Sequence, residues 1–114
     1  MSNNIQDIKI GDFCKHFKGK TLVEKNIYKI LLLNVIYSGD NAVKKLEDLV
    51  VYENIFDGKI FTREASDIFS ELSEDKQELF NQTYKVQKLT EEEIKEVNSE
   101  EFKVKKLTYL ENRK

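Results

Sequence analysis

The amino-acid sequence predicts one mainly β domain with one or two short helices and a charged C-terminal helix-strand extension. Three observations lead there. Residues 27 to 37 form a long run of aliphatic, aromatic and β-branched residues. Asp57-Gly58 sits between two apolar segments, and helical spacing is confined to short stretches. At 114 residues the chain has the size of a single domain and buries about two thirds of its unfolded surface, enough for one core without disulfide staples.

The elements follow in order. Ile8, Ile10, Phe13 and Phe17 bracket the turn pair Gly11-Asp12, so residues 13 to 17 read as a short strand entered through a bend and closed by Gly19. Residues 27 to 37 read as a long, largely buried strand. Ser38-Gly39-Asp40-Asn41 is dense in turn formers, and residues 42 to 48 are polar enough for a hairpin loop or a helical turn. Leu49-Val50-Val51-Tyr52 with Ile55-Phe56 makes the next strand. Asp57-Gly58 then predicts a hairpin into Lys59-Ile60-Phe61, because a type I′ turn needs positive φ. Ala65, Ile68, Phe69 and Leu72 recur at helical spacing, and a further helical turn is expected from Ser73 to Phe80.

Residues 84 to 89 alternate like a strand. Thr90-Glu91-Glu92-Glu93 has the pattern of a capping box, in which the Thr hydroxyl and the Glu93 carboxylate satisfy backbone donors reciprocally, so a short helix should run to about Asn98. Phe102-Lys-Val104-Lys-Lys-Leu107-Thr108 echoes Tyr84-Lys-Val86-Gln-Lys-Leu89-Thr90. The echo reads as two strands around the capped helix, one core strand and a free arm, or chance in a Lys-rich chain. The organisation expected is a β domain over 1-89 and a charged extension over 90-114, packed on that domain or exchanged with it.

Charge narrows the partners. Nineteen basic and 21 acidic residues give a formal charge of -2, without the excess of cation that drives binding to phosphate backbones, so nucleic acid is disfavoured. The charge is uneven, positive over residues 1 to 36 and 102 to 114 and strongly negative between them. One cysteine, Cys14, makes no internal disulfide, the first residues lack a basic and an apolar leader region, and the longest apolar run is far below the ~20 residues of a membrane span. A cytoplasmic protein without a membrane partner is expected.

His16, Lys18 and Arg63 form the candidate site. Positions 16 and 18 of an alternating strand point together, and Arg63 ends a strand before a helix. Arginine suits bidentate capture of phosphate or carboxylate, and lysine adds a point charge. Tyr52 joins them as an aromatic neighbour. The bland alternative has Lys18 and Arg63 pairing with local acids and His16 packing against Phe17 or Tyr52. Cys14 and His16, two residues apart on one strand face, are an imaginable thiol-imidazole pair, yet no third orienting group is identifiable. The single histidine leaves little for a metal site.

Gly11, His16-Phe17-Lys18-Gly19, Leu49-Val50-Val51-Tyr52, Phe61-Thr62-Arg63 and Asp67-Ile68-Phe69 resemble, in order and spacing over about residues 10-89, the bacterial and phage family known as domain of unknown function 1653. The resemblance implies a small SH3-like barrel and brings no settled activity. Departures are Cys14 for the family's aromatic, Phe61 for Trp, Glu64 for Pro, Glu53 for a basic residue, and Tyr37-Ser38-Gly39-Asp40 for a His-Ser-Glu-Thr stretch.

The reading is a non-catalytic binding module, monomer or homodimer, without cofactor or metal. Its ligand would be a small anion such as a nucleotide or phosphorylated metabolite, held by His16, Lys18, Tyr52 and Arg63. One alternative is a protein-protein interaction module, for instance a phage-encoded inhibitor of a host defence system acting through its acidic face or C-terminal arm. The other is a thiol-dependent hydrolase.

Overall fold

A computed structural model describes residues 5-37 and 46-113. Five strands form one antiparallel sheet: β1 (Phe13–His16), β2 (Ile27–Tyr37), β3 (Leu46–Asn54), β4 (Ile60–Glu64) and β5 (Val86–Lys88), in the spatial order β4-β3-β2-β1-β5. Four helices accompany them: α1 (Ala65–Ile68), α2 (Glu74–Phe80), α3 (Glu91–Val97) and α4 (Glu100–Asn112). Strand and helix take nearly equal shares, about 32% and 31%, so the expectation of a mainly β chain gives way to a mixed fold.

Period-two alternation sorts the two faces of the sheet. Cys14, Tyr28, Ile30, Val50, Tyr52 and Val86 pack on one face against Ala65, Ile68 and Phe69 of the α1 region. Phe13 and Ile27 point the other way and join Leu89, Val97 and Phe102 under α3 and α4. The helices thus cover opposite faces of the same strands. β2 runs over the range its composition predicts but is not the largely buried strand expected, since only Ile27, Tyr28 and Ile30 are buried and Leu32, Ile36 and Tyr37 stand open. Its pairing with β3 shifts register along the distal half. Asn34 (φ 57°) and Asp48 (φ 58°) lie at these irregularities, residue types that tolerate the left-handed region.

Several boundaries move. β1 stops at His16, one residue short of the expected strand. Ile55 and Phe56 leave β3 for a five-residue connection, in which the Gly58 N–H donates to Asn54 O (2.8 Å) and the Asn54 N–H donates to Lys59 O (2.9 Å). Of Asp57 and Gly58 only Gly58 has positive φ (74°), so the hairpin is present but its turn is wider than type I′. Glu64 stays in β4, which shortens the helix expected over 64 to 72 to the single turn α1. The turn expected at 38 to 41 lies outside the described residues, as does most of 42 to 48, of which 46 to 48 belong to β3.

The tail differs most. Residues 102 to 108, expected as a strand or arm, lie inside α4, capped by Ser99, whose hydroxyl accepts from the Phe102 N–H. A strand would place Phe102 and Val104 on one face; here Phe102 is 2% exposed and Val104 61%, as a helix requires. The inward residue one turn on is Lys106, 2% exposed, whose Nζ donates to Val23 O and Lys25 O at 2.7 Å each. α3 is fixed by the predicted capping box and by a 2.6 Å ion pair from Glu93 to Lys15, a mostly buried side chain.

Candidate anion site along an aromatic row

Strand pairing assembles the site. Tyr52 stands opposite Phe61, and Tyr28, paired with Asn54, is its diagonal neighbour on β2. Tyr52 therefore meets Phe61 at 5.7 Å between ring centroids and Tyr28 at 4.8 Å. Tyr28 presents itself edge-on to His16 at 6.3 Å, His16 stacks on Phe17 at 4.8 Å, and Phe17 meets Phe80 of α2 at 5.2 Å. Six rings thus cross from β4 to α2, and Phe61 keeps 42% of its surface open at the β4 end.

Cations surround the middle of this row. The partly buried His16 is pushed down to about 4, first by burial and then by the charges of Lys18, Arg63, Lys85 and Lys25. Its Nδ1 accepts from the Lys18 N–H at 3.3 Å, so the neutral ring carries its proton on Nε2. Near neutral pH His16 is a stacking and hydrogen-bonding group, not a cation. The bend after His16 brings Lys18 close, and strand alternation plays no part because β1 has already ended.

Burial raises the Tyr52 phenol above its ordinary value, against the opposing charge of the nearby Arg63. Arg63 also pairs with Asp67, NH1 to Oδ2 at 3.3 Å, while Lys85 Nζ reaches Asp67 Oδ1 at 2.8 Å. The Lys85 hydrogen bond leads in holding the Asp67 carboxyl below its usual range. His16, Tyr52 and Arg63 therefore share one neighbourhood, with Lys18 charging its rim. Two features of the bland alternative coexist with this: His16 does stack on Phe17, and Arg63 does pair with a local acid.

Sequence reasoning missed Asp67, Lys85 and Lys25. Asp67 was within reach, being four residues after Arg63. Lys85 arrives through tertiary pairing, with its N–H on Ser70 O at 2.9 Å and the Leu72 N–H on Thr83 O at 2.8 Å. Lys25 is buried as a staple, its Nζ donating to Phe17 O and Gly19 O at 2.8 Å and to Phe80 O at 3.2 Å, and burial lowers it to about 8. It clamps the bend that carries Lys18. Gly19 belongs to the same bend because a Cβ there would lie 2.9 Å from the Glu24 backbone, with φ at +107°.

Cys14 offers no thiolate. It is fully buried in the core, and burial, assisted by Asp12, pushes its thiol up to about 12. A cleft of about 300 Å³ lies away from the aromatic row, between Leu22 and Val23 on one side and Ser99 and Lys105 on the other. Glu101 pairs with Lys105 there at 3.1 Å, and Glu96 adds a second carboxylate, so the lining carries no excess of cation to select an anion. Among the described residues, no helix is long and apolar enough to cross a membrane. No family model, curated protein or solved structure matches the chain.

Proposed function

We propose that the chain is a non-catalytic binding module for a small anionic ligand of the nucleotide class, held by His16, Lys18, Tyr52 and Arg63 on an SH3-like barrel. The resemblance to domain of unknown function 1653 supports the barrel. One observation carries the ligand class: a neutral imidazole sits among four cations inside a row of aromatic rings. The cations favour a phosphate, and the open Phe61 ring favours a planar base. Calorimetric titration with a panel of nucleotides tests this. Binding of at least one nucleotide, weakened tenfold or more by Arg63→Ala, is the expected result, and absence of heat across the whole panel overturns it.

A protein partner is the second reading, favoured by Val104 and Leu107, which α4 leaves 61% and 62% exposed. A phage-encoded inhibitor of a host defence system is one form of it. Replacing both residues with Ser should abolish capture of such a partner while leaving the core contacts of Phe102 and Lys106 in place.

A further inference from the structure

Asp67 joins two cations from distant parts of the chain. Arg63 lies near the end of β4 and Lys85 just before β5, at opposite edges of the sheet, yet each donates to a different oxygen of one carboxylate. A phosphate bridges two cationic side chains in the same manner. The Asp67 and Arg63 side chains are half exposed, at 50% and 52%, so these pairs are weakly held against solvent. The Asp67 main-chain carbonyl keeps its own bonds to the Ser70 N–H (3.2 Å) and hydroxyl (2.7 Å), so the carboxylate can swing outward without unwinding α1.

We propose that Asp67 is a resident counter-ion which the ligand displaces, and that the exchange selects a phosphate monoester dianion over a monoanion. The proposal rests on the anion-binding reading above. Exchange for a monoanionic diester or carboxylate leaves the charge facing Arg63 and Lys85 unchanged, whereas exchange for a dianion doubles it. The ligand class is therefore a nucleoside monophosphate, its phosphate on Arg63 and Lys85 and its base against Phe61.

The test titrates adenosine 5′-monophosphate and its 3′,5′-cyclic diester into the wild type and Asp67→Asn by calorimetry at low salt and pH 7.5. The wild type should bind the monoester at least tenfold more tightly than the diester. It should lose that preference at pH 5, where a phosphate monoester is largely a monoanion because its second pKa is about 6. Asp67→Asn should bind both ligands more tightly, the monoester about five- to tenfold, because neither then has a carboxylate to displace. Monoester binding that Asp67→Asn fails to strengthen overturns the counter-ion role and leaves the binding site standing. Equal wild-type affinities for the two ligands overturn the dianion class, a result that needs no folded variant. No heat with either protein removes the underlying site as well.

Discussion

Acidification should weaken this fold through one imidazole. His16 is the only histidine, and its folded pKa of about 4 lies below the ordinary 6.5. Between those values the folded chain binds fewer protons than the unfolded one, so stability present above pH 6.5 is lost as the pH falls toward 4. The full shift corresponds to about 3 kcal/mol, and water reaching the partly exposed ring reduces this to on the order of 1–2 kcal/mol. Urea denaturation at pH 7 and pH 5, above most carboxylate titrations, should show a loss of about 1 kcal/mol. His16→Asn keeps an acceptor for the Lys18 N–H but cannot titrate there, so its stability should stay level across the same interval. The single imidazole resonance gives the midpoint directly by NMR. Arg63→Gln should raise it by less than one unit, because burial outweighs the charges. A wild-type midpoint at or above 6, or parallel pH profiles for the wild type and His16→Asn, would refute the reasoning.

Three further outcomes follow from the buried cations and the bend. Lys106→Met leaves the Val23 and Lys25 carbonyls without their donor, and should lower stability by about 2 kcal/mol in urea denaturation after the recovered cost of burying an ammonium is deducted. Lys25 and Lys106 are both lowered to about 8 in the fold, so thermal stability should rise with pH from about 8 toward 10.5. The Cys14 thiol, raised from 9.0 to about 12, opposes that rise above pH 9, and Cys14→Val should steepen it again. Gly19→Ala should cost at least about 2 kcal/mol, against about 1 kcal/mol for Gly11→Ala, whose new Cβ meets open space; equal losses would contradict the close approach to Glu24.

Local signals were legible and long-range ones were not. β2 occupies the range expected from its composition, and α3 begins at the capping box, because both depend on residues adjacent in the chain. α4 defeated the same method: Phe102, Val104 and Leu107 fit an alternating pattern loosely, and the residue that completes the helical face is a lysine, which a polarity pattern assigns to solvent. Its burial is tolerable only because two carbonyls receive the ammonium while Phe56 and Tyr109 present ring faces to it at 4.8 and 5.4 Å. At the candidate site, residue types together with expected strand positions singled out His16, Lys18 and Arg63, with Tyr52 as their aromatic neighbour. Residue type could not reveal that burial leaves the imidazole uncharged, nor that Lys85 comes in from the far edge to share Asp67.

The two lysine staples act in series. Lys106 grips the backbone at Val23 and Lys25, and Lys25 in turn grips Phe17, Gly19 and Phe80. The last helix is thereby an anchor line to the bend that carries Lys18, so trimming the chain before residue 106, or tethering a bulky fusion beside it, loosens Lys18 from a distance. Recombinant versions intended for ligand screening should therefore retain α4 intact.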